Sequence, residues 1–352
     1  MRLRATAFAA VCALAFAVVG QGRALAARPT GPYALATGAY FGAFVNPNRT
    51  DGLSGSVSEV SALERDLASA GRANAGLLDT DNRFYAYKER VAPAVLSTRP
   101  DGSPCSSATD VRCSLEYWDL SKHRIPMVTW GASDTLALAN GSQDAWLRTE
   151  ANRLKALGGP VFLRFYHEFD GDYRSTIVHS PSDFIAAWRH VHGVFAATGA
   201  TNIVWVWCPT AWKFVLKRPW PPDYYPGSAY VDWVASDGYN WYPARPGSRN
   251  RTFTQVFKAW YDWAISTGKP VMIAEIGTLE DPANPNAKAN WIADARAQLK
   301  GAFSQIQAVQ WFDTKMTKNG TTYDWRVNSS PASYAAYKAW GADPYFEPPP
   351  PA

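Results

Sequence analysis

The sequence predicts a single-domain (β/α)8 barrel of the α/β class, and three observations support that prediction. Short apolar segments rich in β-branched and aromatic residues recur along the chain, and longer segments with helical spacing separate them. About eight such segments are present, which is the number of strands that a closed barrel requires. The length of 352 residues also fits, since barrels of roughly 250 residues or more fold as one domain.

The eight predicted strands are separated by helices and by two inserted loops. The strands are predicted at residues 40–45, 75–80, 124–130, 161–167, 202–207, 231–239, 271–276 and 308–312. Ser180-Pro181 and Thr252 or Thr254 precede apolar residues at three-and-four spacing, which predicts two helix starts. Residues 97–110 and 213–230 are rich in polar residues or proline, and we expect loops there.

Residues 1–26 have the pattern of an export signal. Arg2 and Arg4 precede an apolar run over residues 5–19, and small residues at positions 24–26 provide a cleavage site. A membrane anchor is the alternative, but this run of about fifteen residues is shorter than the roughly 20 that a spanning helix needs. We therefore expect a secreted protein that is not attached to a membrane after cleavage.

The remaining chain divides into one long domain and a short tail. We expect a catalytic domain over residues 27–343 and a Pro-rich tail over residues 344–352. Because the prolines that follow Glu347 cannot join a packed helix, the tail is predicted to be extended.

The cysteines agree with an oxidising compartment. Cys105 and Cys113 lie eight positions apart in a polar loop, where a disulfide would connect the two ends. Two unrelated free thiols are the alternative. Cys208 stands in an apolar segment with no histidine beside it, so we expect a packed side chain rather than a nucleophile.

Composition argues against several classes of function. The formal charge of +5 includes arginines of the export signal, and the other cations are scattered, so neither nucleic acid nor an anionic membrane is an expected partner. His190 and His192 lack the spacing of a zinc helix, and no phosphate loop or serine elbow is present, so we expect no metal and no cofactor. Aromatic residues make up 14% of the chain, with 16 tryptophans, which suits a sugar-stacking cleft or a packed core.

Two glutamates end predicted strands. The fourth strand leads into Glu168 and the seventh into Glu275, and the chemistry of barrels collects at these carboxyl ends. Two carboxylates that face one cleft about 5–5.5 Å apart can cleave a glycosidic bond with retention of configuration. Salt bridges at the strand ends are the alternative. Arg164 is expected on the same strand face as Tyr166 and Glu168, where it could bind the substrate or a carboxylate.

Four segments of the chain resemble glycoside hydrolase family 26. They are R-F-Y-H-E-F-D-G at 164–171, D-W-V-A-S-D-G-Y-N-W at 232–241, A-E-I-G at 274–277 and V-Q-W-F-D at 309–313. The family contains β-mannanases, some β-1,3-1,4-glucanases and some β-1,3-xylanases, all on a barrel. The resemblance implies that Glu168 is the general acid/base and that Glu275 is the nucleophile.

The resemblance also implies roles for neighbouring residues. His167 would steer the sugar, Tyr239 would donate a hydrogen bond to the nucleophile, and Trp311 would form a stacking platform. Further cleft walls are expected at the tryptophans that end the third, fifth and sixth strands, namely Trp130, Trp207 and Trp241. Packing in the core is the alternative for these last three.

The sequence differs from the family pattern just after Glu168. Family mannanases resemble H-E-x-N-G followed by an aromatic-rich stretch, whereas Asp170 replaces the asparagine here and most of the aromatics are absent. The prediction is a secreted, monomeric, retaining endo-β-glycosidase whose substrate is a β-linked polysaccharide, first of all β-1,4-mannan. A β-1,3-1,4-glucanase or a β-1,3-xylanase is the alternative within the family, and a non-catalytic polysaccharide-binding barrel is the alternative outside it.

Overall fold

The computed structural model describes residues 28–47, 56–131 and 133–349, and the predicted export signal at residues 1–26 lies outside them. Eight parallel strands pair in chain order, and the first also pairs with the eighth, so the sheet closes into a barrel. A ninth strand forms an antiparallel hairpin with the eighth. The predicted (β/α)8 fold is confirmed. No helix within these ranges is long and apolar enough to cross a membrane.

Strands and helices alternate around the barrel. The strands are β1 (Tyr40–Asn46), β2 (Thr80–Tyr85), β3 (Ile125–Trp130), β4 (Val161–Phe165), β5 (Ile203–Trp207), β6 (Trp233–Asn240), β7 (Val271–Thr278), β8 (Ile306–Lys318) and β9 (Thr321–Asp324). The helices of the described ranges are α1 (Val57–Ser69), α2 (Leu115–Ser121), α3 (Thr135–Ala139), α4 (Asp144–Lys155), α5 (Pro181–Ala197), α6 (Lys213–Leu216), α7 (Phe253–Ala264), α8 (Ala287–Lys300) and α9 (Pro331–Gly341).

Local capping signals begin two of these helices where the sequence predicts them. The side chain of Ser180 accepts a hydrogen bond from the backbone N–H of Asp183 at 3.1 Å, and Pro181 is the first residue of α5. Thr252 and Gln255 form a reciprocal capping box at the start of α7. Such caps satisfy backbone N–H groups that have no partner within the helix.

Alternate side chains of the strands divide the core into an inner and an outer part. The inner core, on the barrel axis, contains Tyr40, Ile125, Met127, Phe162, Val204, Val206, Trp233, Met272, Ala274 and Ala308. The larger outer core lies between the strands and the surrounding helices. Because successive residues of a strand point to opposite sides, one position along a strand decides whether a side chain faces the axis or a helix.

The second strand lies further along the chain than predicted. It was predicted at 75–80, whereas Asn74–Gly76 forms a turn of 3-10 helix and the strand runs from Thr80 to Tyr85. The sequence of β2 is T-D-N-R-F-Y, and Asp81 and Arg83 are fully buried. An apolar pattern could not identify this strand because its buried charges are compensated by other segments of the chain.

A buried ion-pair network provides that compensation. Arg83 pairs with Asp81 in its own strand and with Asp119 of α2 at 3.0 Å. Arg124 pairs with Asp119 at 3.1 Å and with Glu64 of α1 at 2.7 Å. The network therefore connects β2 with α1 and α2.

The C-terminal segment is partly packed rather than extended. Residues Pro344–Phe346 form a turn of 3-10 helix, and the Phe346 ring is fully buried. Arg72 donates a hydrogen bond to the Phe346 carbonyl at 2.8 Å, and the backbone N–H of Ala39 donates one to the Tyr345 carbonyl at 3.0 Å. The predicted tail boundary at 343/344 is therefore wrong, because the domain continues at least through Phe346.

The predicted disulfide is confirmed. Cys105 and Cys113 are bonded, with their Cα atoms 5.9 Å apart, which is within the usual range. The bond connects the polar loop to the residues just before α2. Cys208 is a buried free thiol inside the barrel, as predicted.

We predict that Arg124→Ala destabilises the fold by about 3–5 kcal/mol, because it leaves the buried carboxylates of Glu64 and Asp119 without this cation. Urea unfolding followed by circular dichroism measures the change. Arg148→Ala is the matched control, since Arg148 forms an exposed pair with Asp144 and should cost less than about 1 kcal/mol. Equal losses in the two variants would show that the buried network does not stabilise the fold.

Candidate active site

A cleft of about 1010 Å³ lies at the carboxyl ends of the strands, and Glu168 and Glu275 both line it. Loops after β4, β5 and β6 and the β8–β9 hairpin form its walls. A cleft of this size and position is typical of a ligand site in a barrel. The two predicted carboxylates therefore share one concave surface.

A strained turn directs Glu168 into the cleft. After β4 ends, Tyr166 and Glu168 take left-handed backbone conformations, with φ of 53° and 48°. The backbone N–H of Glu168 donates a hydrogen bond at 2.9 Å to the carbonyl of Cys208, just beyond β5. Such conformations cost about 1–3 kcal/mol each and cluster at functional sites. Tyr166 is buried in the outer core, so the prediction that it shares a face with Arg164 and Glu168 is wrong.

A bulge in β7 directs Glu275 into the cleft. In the pairing of β6 with β7, Ser236 lies opposite Ile273 but Asp237 lies opposite Glu275, so Ala274 is passed over. Ala274 faces the barrel axis, and in a regular strand the next residue would face the helices. The extra residue rotates the strand so that Glu275 also points inward.

Arg164, in β4, contacts side chains of β3, β6 and β7 behind the site. Its Nη1 atom lies 2.6 Å from an oxygen of Asp237, its Nη2 pairs with Glu275, and its Nε donates to the Thr129 hydroxyl at 2.8 Å. The side chain is fully buried. Since its three nitrogen atoms already have these partners, Arg164 positions Glu275. Of its two predicted roles, the structure shows the binding of a carboxylate and not contact with the substrate.

Both oxygens of the Glu275 carboxylate have donors. Arg164 holds Oε1, and the Tyr239 hydroxyl donates to Oε2, as the family resemblance implied. One guanidinium and one phenol hydroxyl thus keep the carboxylate in one orientation in the cleft. This geometry suits a nucleophile whose reacting oxygen must be aligned with a substrate atom.

Glu168 has the environment of an acid that holds its proton. Burial and the neighbouring charge of Glu275 raise the pKa of Glu168, and a hydrogen bond from the Tyr173 hydroxyl at 2.8 Å opposes that rise. A carboxyl group with a raised pKa can donate a proton near neutral pH. The two glutamates therefore differ in surroundings in the way that an acid and a nucleophile require.

His167 is a neutral imidazole beside the site. Burial and the nearby guanidinium groups of Arg164 and Arg174 hold its pKa well below the usual range. Its ring packs edge-on against Phe84, with centroids 5.7 Å apart, and Nδ1 has no hydrogen-bond partner within the described ranges. The imidazole is thus close to the acid but carries no charge that would lower the pKa of Glu168. Its predicted contact with sugar remains a prediction.

Three of the predicted stacking tryptophans are packing residues. Trp130, Trp207 and Trp311 are at most 1% exposed and belong to the outer core. Trp311, for example, donates a hydrogen bond at 2.8 Å to a backbone carbonyl and packs against Tyr337 of α9. The inward residues of β8 include Ala308, so the outward position of Trp311 follows from strand alternation. Packing in the core, the stated alternative for Trp130 and Trp207, is therefore what the structure shows, and the predicted sugar platform at Trp311 is wrong.

Trp241 is the predicted tryptophan that does line the cleft. It is half-buried and packs edge-on against Tyr323 and Trp325, with centroid distances of 5.3 and 5.0 Å. Tyr173 and Trp212 also line the cleft, and neither was predicted from the sequence. No sequence signal pointed to either, because both lie in irregular loops that only the closed barrel brings together.

Asp237 is the one missed residue that sequence could have identified. It is buried, it pairs with Arg164, and it accepts a hydrogen bond from the Cys208 thiol at 3.2 Å. It lies two positions before Tyr239, and strand alternation places both on one face.

Within the described ranges, no group of three or more His, Cys, Asp or Glu side chains is arranged to hold a metal ion.

Several proteins named as polysaccharide hydrolases are similar to this chain in sequence. The chain is 36% identical over 226 residues to "Endoglucanase H" of Acetivibrio thermocellus, covering 61% of this chain and 24% of that protein. It is 31% identical over 144 residues to "Beta-1,3-xylanase TXYA" of Vibrio sp, covering 39% and 28%. It is 29% identical over 150 residues to "Mannan endo-1,4-beta-mannosidase A and B" of Caldalkalibacillus mannanilyticus, covering 40% and 26%. The matches thus span about a quarter of the length of these relatives.

Solved structures support the barrel. An endo-beta-1,4-mannanase double mutant of Cellulomonas fimi superposes with a TM-score of 0.56 at 17% identity, covering 88% of this chain and 71% of that one. GH26C from Muricauda sp. MAR_2010_75 gives a TM-score of 0.55 at 14% identity, covering 89% and 90%. The sequence model described as glycosyl hydrolase family 26 matches residues 135–323, which is more than half of the chain. The chain therefore belongs to glycosyl hydrolase family 26.

Proposed function

We propose that the chain is a retaining endo-β-glycosidase that hydrolyses a β-linked polysaccharide by double displacement. The observation that carries this proposal is the pair of glutamates in one cleft, with a raised pKa at Glu168 and two donors on Glu275. The difference in environment supports proton transfer by Glu168 and nucleophilic attack by Glu275.

The first step of the reaction forms a covalent intermediate. A Glu275 oxygen attacks the anomeric carbon, and the bond to the leaving oxygen breaks as Glu168 gives that oxygen its proton. The products of this step are a glycosyl ester on Glu275, a released saccharide with a free hydroxyl, and an ionised Glu168. Arg164 and Tyr239 hold the attacking carboxylate in place throughout.

The second step reverses these roles. Glu168 takes a proton from water, whose oxygen attacks the anomeric carbon and displaces Glu275 as a carboxylate. Esterification removes the charge of Glu275, which is one of the two causes that raise the pKa of Glu168. The lower pKa in the intermediate suits a residue that has just lost its proton.

Neither membership of the family nor the geometry of the site identifies the polysaccharide, which is therefore part of the proposal. The sequence resemblance favours β-1,4-mannan, and the match to a protein named a mannan endo-1,4-beta-mannosidase supports it. A β-glucan is the second candidate, because the relative at 36% identity is named an endoglucanase and its match covers more of the chain. Binding without catalysis is the remaining alternative.

Export of the chain is part of the proposal. The Cys105–Cys113 disulfide supports it, since such bonds persist in oxidising compartments. A polysaccharide substrate also suits an enzyme outside the cell. We propose that the exported enzyme acts as a monomer and needs no cofactor.

Reducing-end release from β-mannan, mixed-linkage β-glucan and β-1,3-xylan tests this function. We expect release from mannan or glucan, with Glu168→Ala and Glu275→Ala each lowering kcat by about 10³-fold or more because an essential proton donor or nucleophile is lost. Glu89→Ala, at an exposed glutamate outside the cleft, is the matched control and should keep full activity. Binding of a polymer without any release would favour the non-catalytic alternative.

Added azide separates the two roles. In Glu275→Ala, azide can occupy the face that the carboxylate has left, and the product should be an α-glycosyl azide. In Glu168→Ala, azide can attack the glycosyl ester on Glu275, and the product should be a β-glycosyl azide. Nuclear magnetic resonance of the products distinguishes these outcomes, and the opposite assignment of anomers would exchange the roles of the two glutamates.

We predict that Tyr173→Phe moves the alkaline limb of the pH profile of kcat/KM to higher pH. The Tyr173 hydroxyl stabilises the charged form of Glu168 and so lowers its pKa, and removal of this hydrogen bond should raise that pKa. The acid would then keep its proton to a higher pH. Tyr117→Phe, on α2 and outside the cleft, is the control. An alkaline limb that stays in place or moves to lower pH would contradict the assignment of Glu168.

A further inference from the structure

One wall of the cleft carries a group of cations, which we call the cationic wall. Its members are Arg245, Arg249 and Arg251 from the loop after β6 and Lys318 from the β8–β9 hairpin. All four line the same cleft as the two glutamates. Arg245, Arg249 and Lys318 are exposed, and Arg251 is half-buried.

The charges of this wall are not neutralised by the protein. Within the described ranges, none of the four cations forms a salt bridge with an acidic side chain. The other cation of the cleft behaves differently, since Lys213 pairs with Asp172 at 2.6 Å. Among the acids of the lining, Asp237 and Glu275 are held by the buried Arg164. The cationic wall therefore presents uncompensated positive charge to whatever enters the cleft.

Two of these arginines are held by aromatic rings. The Arg251 guanidinium lies 3.9 Å from the centre of the Trp212 ring, and that of Arg245 lies 5.3 Å from the centre of the Trp241 ring. Stacking on a ring occupies the face of a guanidinium and leaves the N–H groups on its edge available. Within the described ranges, neither side chain donates a hydrogen bond to the protein. The rings thus orient the two guanidinium groups, while the N–H groups on their edges are available to bind a ligand.

A planar guanidinium edge matches a carboxylate, which can accept two parallel hydrogen bonds from it. Cations that line a cleft also raise the local concentration of an anionic polymer. A neutral polysaccharide would use neither property. We propose that the cationic wall binds carboxylate groups on the substrate, so that the enzyme acts on an acidic β-linked polysaccharide that contains uronate residues. This inference rests on the proposed function and names its substrate class.

One polymer in three forms tests the inference. The neutral β-mannan or β-glucan is compared with the same polymer partly oxidised at C6, which turns hydroxymethyl groups into carboxylates, and with a form sulfated at C6. We expect kcat/KM on the oxidised form to exceed that on the neutral form by about 10-fold at low salt. The preference should shrink towards unity at about 0.5 M NaCl, because salt screens exposed charges.

A charge-removal variant assigns the preference to this wall. Arg245→Gln, Arg249→Gln and Lys318→Gln are combined, and the ratio of kcat/KM on the oxidised form to that on the neutral form should fall to near one. The control combines Arg65→Gln, Lys122→Gln and Lys155→Gln, which removes the same charge at exposed positions outside the cleft and should keep the ratio. Arg251→Gln is made separately because Arg251, unlike the other three, is half-buried and lies only 3.9 Å from the centre of its ring, that of Trp212.

The outcomes separate the inference from the function on which it rests. Equal rates on the neutral and oxidised forms, or equal loss of preference in the variant and its control, would overturn the inference and leave the glycosidase proposal intact. Preference for the sulfated form alone would overturn the assignment to carboxylates. Absence of hydrolysis on every form would overturn the glycosidase proposal. Migration in native gels that contain each polymer would then still test the wall, with slower migration in the oxidised form and loss of that effect in the triple variant as the supporting result.

Discussion

The buried guanidinium of Arg164 is the interaction on which the site depends. It lies inside the barrel, where an unpaired charge would be costly, and it is paired with Asp237 and with Glu275. The same contacts join β4 to β6 and β7 across the barrel. The ion pair with Glu275 thus has two effects: it helps to neutralise the buried charge of Arg164, and it fixes the position of the proposed nucleophile.

Two departures from regular strand geometry bring the glutamates to one cleft. Glu168 lies beyond the end of β4 in a left-handed turn, and Glu275 faces inward because β7 passes over Ala274. Both departures are stabilised by hydrogen bonds from neighbouring parts of the barrel. The backbone N–H of Glu168 donates to the Cys208 carbonyl, and Arg164 and Tyr239 donate to the Glu275 carboxylate. Together they place a carboxyl group that tends to keep its proton beside a carboxylate held by two donors, and the charge of the second raises the pKa of the first.

Most tryptophans within strands pack in the outer core, and two tryptophans on loops line the cleft. Trp130, Trp207 and Trp311 pack between the barrel and its helices, whereas Trp241 and Trp212 lie on loops beyond the strands and line the cleft. The loop aromatics in turn support the cations that we infer to bind an acidic substrate. The aromatic content that suggested a sugar-binding surface thus belongs largely to the outer core.

The sequence by itself determined the barrel, the two strand-end glutamates, the hydrogen bond of Tyr239 and the disulfide, because each depends on a local pattern or on a short motif. It misplaced β2, because the buried Arg83 of this strand is neutralised partly by Asp119 of α2, which lies 36 residues away in sequence. It also misassigned Trp311, since a shift of one residue reverses the side of the barrel that a side chain faces. Only the tertiary structure decided the inward turn of Glu275 and the assembly of the cationic wall, because a bulge is defined by pairing with a neighbouring strand and the wall is built from two separate loops.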